Sequence, residues 1–130
     1  MLNHNINIAI VEDLESGQQL SNLLFGSFTG MKLTIVARDG EEMLQKLETA
    51  TPFPDIVLLN VVLGKGRMQG LDTARALLKL YPRLKIAVFS MCSADDPRVQ
   101  HMLEAGCTGY ISKSAEPKQI ENRMWELTNN

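Results

Sequence analysis

Five short apolar runs punctuate the chain, and between them apolar positions recur at helical spacing. The runs are INIAIV (6–11), KLTIVA (32–37), DIVLL (55–59), KIAVF (85–89) and a weaker TGYIS (108–112). Their length and their Ile and Val content suit β-strands. The intervening segments place Leu20, Leu23, Leu24 and Phe28, then Met43, Leu44 and Leu47, then Leu71, Ala74, Leu78 and Tyr81 on single faces of three predicted helices. A fourth helix is predicted from a Ser93 cap, with Asp96 three residues on, through Val99, Met102 and Leu103 to a stop at Gly106. A fifth is predicted to begin near Ser114 and to bury Ile120, Met124 and Leu127. Strands that are apolar almost throughout cannot face water on either side. Five β-then-α units with short connections therefore predict a parallel sheet covered by helices on both faces, an α/β fold.

With 130 residues, 45% of them hydrophobic, the chain can bury one compact core and not two, so residues 1–130 are read as a single domain with its core at about 6–127. The 13 basic and 15 acidic residues are interspersed and leave a net charge of −2, without the basic stripe that a nucleic-acid surface requires. Direct nucleic-acid binding is not expected. No stretch approaches the roughly 18 apolar residues of a membrane span, and MLNHNINIAI lacks a charged leader, so a cytoplasmic protein is expected. Cys92 and Cys107 form neither a CxxC pair nor part of a Cys/His cluster and are read as reduced packing thiols.

In an open parallel sheet, chemistry collects at the carboxyl ends of the strands, where strand order reverses. Here those ends carry Glu12 and Asp13, Asn60, Ser90 and, just after the fifth strand, Lys113. Each alone has a commonplace reading as a strand-end or capping residue. Together the segments NIAIVED, PDIVLLN, KIAVFS and EAGCTGYISK resemble the receiver domain of two-component response regulators over about residues 6–127. FSMCS and GYISKSAEP look most like receivers that precede helix-turn-helix output domains.

That resemblance implies a flavodoxin-like fold with strand order 2-1-3-4-5. It implies a Mg²⁺ ion held by Glu12, Asp13, the side chain at position 60 and the backbone carbonyl of Val62, through oxygen ligands that suit a hard cation. By the same resemblance the Ser90 hydroxyl meets a phosphoryl oxygen, and Lys113 pairs with the strand-3 side chain or another phosphoryl oxygen. Tyr110 matches the family's switch aromatic; it reads equally well as an amphipathic residue at the sheet edge. Implied partners are a sensor histidine kinase and an output domain or other protein reached through helix 4, strand 5 and helix 5, and a homodimer is compatible with the pattern.

Asn60 departs from the family pattern, which has an Asp as the phosphoacceptor. A carboxylate attacks phosphorus to give an acyl phosphate, whereas a neutral amide is a far poorer nucleophile, so phosphorylation at Asn60 is not expected. Asp55 cannot substitute, lying about 16 Å away at strand rise. Asn60 also leaves the metal site with two carboxylates, so Mg²⁺ is expected to bind weakly or not at all. The following loop, VVLGKGRMQG, is longer than usual and lacks the family's Met-Pro step. Its Lys65 or Arg67 can be imagined reaching Glu12 and Asp13 in place of the metal; a mobile, solvated loop is the simpler expectation. Ser114 follows Lys113 where many receivers have a cis-proline.

A natural pseudo-receiver and an engineered phosphorylation block both explain Asn60, and the altered loop favours the natural origin. Two other function classes fare worse. A haloacid-dehalogenase-type phosphatase needs an Asp-x-Asp pair where this chain has adjacent Glu12 and Asp13. A flavodoxin-like small-ligand binder needs a phosphate-cradling loop where EDLESGQQ presents acids. An interaction module remains open. Arg98, Gln100, His101 and Glu104, and Lys118, Gln119, Glu121 and Arg123, read as solvated helix faces. Trp125 is expected to pack at a helix edge, and His4 to lie in a loose N-terminus.

Overall fold

The computed structural model describes residues 5–129; His4 lies outside the described residues. The Ile- and Val-rich runs form β1 (Ile6–Val11), β2 (Met31–Ala37), β3 (Ile56–Leu59), β4 (Ile86–Ser90) and β5 (Gly109–Ser112). They make one parallel sheet in the order β2-β1-β3-β4-β5, the expected topology. Helices α1 (Glu15–Gly26), α2 (Gly40–Glu48), α3 (Gly70–Leu80), α4 (Pro97–Glu104) and α5 (Pro117–Thr128) alternate with the strands.

The two-residue period of the inner strands divides the core into two layers. Ala9, Val11, Val57 and Leu59 join Met43, Leu47, Leu77 and Met102 of α2, α3 and α4. Ile8, Ile10, Ile56 and Leu58 join Phe25 of α1 and Ile120, Met124 and Leu127 of α5. Trp125 packs half-buried against this second layer, as expected, and Cys107 is a buried free thiol whose pKa burial pushes up to about 12. No helix among the described residues is long and apolar enough to cross a membrane.

Three local expectations are corrected. On α1 the buried positions are Ser21 and Phe25, while Leu20 and Leu23 face solvent. Phe25 sets the phase of the helix because its ring fits edge-on between Phe28 and Phe89, each 5.9 Å away between centroids. The cap of α4 is Asp96, not Ser93. Pro97 lacks the N–H that a first helical turn leaves unpaired, and Asp96 accepts the Arg98 N–H at 2.9 Å, whereas Ser93 bonds Asp95. The Arg98 side chain bonds the same carboxylate and helps hold its pKa at about 2. Helix α5 starts at Pro117, three residues later than expected, behind a reciprocal cap between Glu116 and Gln119. Gly106 does end α4: its φ of +118° completes a turn in which the Gly106 and Cys107 N–H groups reach the carbonyls of Leu103 and Met102.

The long loop between β3 and α3 is folded rather than loose. The Gln69 side chain accepts from the Leu63 N–H at 2.8 Å and donates to the Leu63 and Arg67 carbonyls at 3.0 and 3.1 Å, imitating a backbone partner. Val61 and Leu63 are buried beneath it. Gly70 closes the loop so tightly that a Cβ there would overlap the Asn60 carbonyl oxygen. Gly70→Ala is therefore expected to destabilise the chain by about 1–3 kcal/mol. Urea unfolding checks this, and an unchanged midpoint would mean that the loop yields without cost.

Candidate functional site

Strand register assembles the candidate site. Val11 of β1 sits opposite Leu59 of β3, so the next residues, Glu12 and Asn60, emerge side by side beyond the sheet. Ser90 of β4 is opposite Ser112 of β5, and the Lys113 N–H then donates to the Ser90 carbonyl at 2.9 Å. Glu12, Asn60, Ser90 and Lys113 thereby share one end of the sheet, lining a depression with Asp13 and Val62. Asp55 lies at the opposite end, where its carboxylate accepts the Asn7 N–H at 2.7 Å, in agreement with its exclusion as a substitute acceptor.

Glu12 is the centre of the arrangement. It is 4% exposed, and burying a lone carboxylate is costly unless it is paired. Lys113 Nζ meets its Oε1 at 2.8 Å, and Asn60 Nδ2 donates to the same oxygen at 3.2 Å. The Leu14 N–H donates to Oε2 at 3.2 Å, and Gln18 Nε2 donates to the Glu12 carbonyl at 2.8 Å. Burial pushes the Glu12 carboxyl up, but the Lys113 hydrogen bond and charge, with the Leu14 and Asn60 donors, outweigh it and hold the pKa below the ordinary value. Lys113 also lies over the Phe89 ring, 5.4 Å from its centroid.

The other residues divide by role. Asp13 is half-buried with no bonded partner among the described residues. The Ser90 hydroxyl, 4% exposed, accepts the Cys92 N–H at 3.0 Å, and the Tyr110 hydroxyl donates to the Cys92 carbonyl at 2.5 Å. Tyr110 thus ties β5 to the segment between β4 and α4. Neither loop cation bonds to Glu12 or Asp13. Lys65 is exposed, and Arg67 instead meets Asp39 at 2.8 Å, the same residue that caps α2 through Glu42. The cation on Glu12 comes from Lys113.

The oxygen donors available to a divalent ion are those of Glu12, Asp13, the Asn60 side chain and the Val62 carbonyl. Glu12 is already neutralised by Lys113, and no three His, Cys, Asp or Glu side chains among the described residues are grouped to hold a metal. This donor set does not fit a tightly held divalent ion. Gln18 and Gln69 were not anticipated as supports. Neither contact has a local signature, since each depends on how a chain end or loop turns back, whereas the Asp39–Glu42 cap is readable from its spacing.

Because the Glu12 pKa is lowered on folding, its pairing stabilises the chain fully above the ordinary carboxylate range and loses that effect as pH falls through the folded value. Lys113→Met is expected to cost about 1–3 kcal/mol near neutral pH, with the gap from the parent narrowing in acid. Urea unfolding across that range measures it, and a gap independent of pH would count against Glu12 as its source.

Residues 8–124 match the model of the response regulator receiver domain. "Response regulator GacA" of Pseudomonas viridiflava is 31% identical over 111 residues, covering 85% of this chain and 49% of that protein. The chain thus spans about half the length of the curated relatives of this kind that it matches. Among solved structures, the signal receiver domain of the putative response regulator NarL from Mycobacterium tuberculosis superposes with a TM-score of 0.82 at 17% identity, covering 98% of each chain. A CheX-CheY-BeF3-Mg+2 complex from Borrelia burgdorferi gives 0.79 at 24% identity, covering 95% of this chain and 90% of the matched one. The parallel order 2-1-3-4-5, the polar strand ends and the family match over nearly the whole chain lead to one assignment: the chain belongs to the response regulator receiver domain family.

Proposed function

We propose that this receiver domain regulates a downstream output through protein contact, without aspartyl phosphorylation at the end of β3. The observation that carries this reading is the amide of Asn60 donating to Glu12 at the position where the resemblance puts a nucleophilic carboxylate. An amide nitrogen already bonded to a carboxylate offers no nucleophile, and acyl-phosphate formation requires a carboxylate oxygen. The Lys113–Glu12 pair supports the same reading, because the cation that would neutralise a phosphoryl group is spent on an internal charge.

In this reading Glu12, Asn60 and Lys113 set a fixed geometry at the strand ends, and Tyr110 and Ser90 hold the Cys92 backbone. The likeness to GacA supports a place in two-component signalling, with a sensor kinase or another signalling protein as one partner and an output domain as another. A site with two carboxylates, one of them paired, supports Mg²⁺ binding weaker than that of a three-carboxylate receiver.

The test compares the chain with Asn60→Asp. The parent is expected to take no hydroxylamine-labile phosphate from acetyl phosphate and to show no response to beryllofluoride. The variant is expected to bind Mg²⁺ roughly tenfold more tightly and to become labelled, because it regains a carboxylate nucleophile and a third charged oxygen donor. Stoichiometric labelling of the Asn60 chain at that residue would overturn the proposal.

A further inference from the structure

We infer that a groove at the amino ends of β3 and β4 is a binding site for a small planar aromatic carboxylate. The groove lies at the opposite end of the sheet from Glu12 and Asn60, and its use does not depend on the chemistry at position 60.

The α2–β3 and α3–β4 connections and the last turn of α5 enclose a cavity of about 620 Å³, whose lining includes Phe53, Leu80, Tyr81, Arg83, Lys85 and Thr128. That volume falls within the roughly 300–1,000 Å³ of small-molecule sites. Outside α1 and the loops at the carboxyl ends of the strands, Phe53 and Leu80 are the large apolar side chains left exposed among the described residues, at 40% and 61%. Both stand in this groove. Phe53 meets Tyr81 with ring centroids 5.0 Å apart and planes tilted by 53°, and part of the Phe53 ring remains open to solvent. An aromatic surface presented in this way accepts a further ring by offset or edge contact. Because the exposed apolar surface stops at these few side chains, whereas a protein interface covers about 800 Å² on each partner, a compact ligand suits the groove better than a macromolecule.

The walls are set before anything binds. Pro54 and Pro82 restrict the backbone on either side of the groove. The Leu84 N–H closes a turn on the Tyr81 carbonyl at 3.0 Å, and the Val57 N–H donates to the Lys85 carbonyl at 2.9 Å, fixing the α3–β4 connection to β3. A site ordered in advance lowers the entropy cost of association.

Charge selects an anion. Lys85 Nζ donates to the Thr128 carbonyl at 2.9 Å, which places an ammonium group in the groove wall. Arg83 is exposed and makes no ion pair or side-chain hydrogen bond among the described residues. Asp55, the carboxylate on the lining, already accepts the Asn7 N–H at 2.7 Å. Two cations against one engaged carboxylate leave the groove net positive. A guanidinium fork matches a carboxylate through two parallel N–H···O bonds, so an aromatic body bearing a carboxylate complements both the rings and the charge.

The probe is 2-naphthoate, with neutral 2-naphthamide as its counterpart, each titrated into the ¹⁵N-labelled chain. Saturable amide shifts are expected at Phe53, Tyr81, Arg83, Leu84 and Lys85 and not at Glu12, Asn60 or Ser90, with a Kd for naphthoate on the order of 1 mM, as suits a ligand of this size. Naphthamide is expected to bind about fivefold more weakly, and Arg83→Gln to weaken naphthoate by about the same factor while leaving naphthamide unchanged. Phe53→Ser with Leu80→Ser is expected to weaken both probes about tenfold. An unaltered urea midpoint checks that this double variant keeps its fold, and the Arg83→Gln comparison stands without it. Shifts centred on the strand-end depression or on α4 and α5, equal affinity for the two probes, naphthoate binding indifferent to Arg83→Gln, or no saturable shift would overturn the inference. So would a dimer in sedimentation that the double serine variant dissolves, because a second copy would then cover the groove.

Discussion

Burial of β1 and β3 on both faces is the constraint from which the rest of this structure follows. Ile8, Ala9, Ile10, Val57 and Leu58 are almost wholly removed from water, and their alternate side chains feed two separate core layers. From Ile8 to Val11 and from Ile56 to Leu59 these strands carry only apolar side chains, since both faces are covered. Polar residues are displaced to the ends, and parallel pairing brings those ends to one edge of the sheet. The candidate site is thus a geometrical product of the core: Val11 opposite Leu59 makes Glu12 a neighbour of Asn60, with no attraction between them required.

Placement there creates an electrostatic problem that the molecule solves internally. A carboxylate as buried as Glu12 needs positive charge and donors, and it receives them from Lys113, Asn60 and the Leu14 N–H. Lys113 is 101 residues away in sequence, so this pair also links β1 to the segment after β5, past β3 and β4 of the sheet. With Asn60 supplying a donor where a third carboxylate would stand, the cluster is satisfied by the chain's own groups. No buried side-chain nitrogen or oxygen among the described residues lacks a partner. A site complete in this way is suited to holding a shape, and the unpartnered groups lie around it, in Asp13 and the exposed Leu14, Leu20, Val62 and Met91.

Features that depend on local periodicity or on residue type were legible in the chain. The five strands, the α/β class, the buried Ile120, Met124 and Leu127 stripe and the Gly106 stop all follow from spacing and backbone chemistry within a few residues. The strand-end residues were legible too, because two-sided burial dictates where polar groups go. The phase of α1 was not: Leu20 and Leu23 fit an apolar stripe as well as Phe25 does, and only the fit of the Phe25 ring between Phe28 and Phe89 separates the choices. The start of α4 similarly turned on whether Ser93 or Asp96 closed the first turn, which Pro97 decides.

The amino-acid sequence by itself determined the kind of fold, the lineage and that position 60 carries an amide and not a carboxylate, because these rest on side-chain type and short-range order. Tertiary structure alone decided which groups Asn60, Lys113 and Arg67 bond, that Gln69 folds the long loop, and where apolar surface is left uncovered. The bonds of Asn60, Lys113 and Arg67 join residues 48, 101 and 28 positions apart, and partner choice among several charges of similar reach depends on distances that only the folded sheet sets.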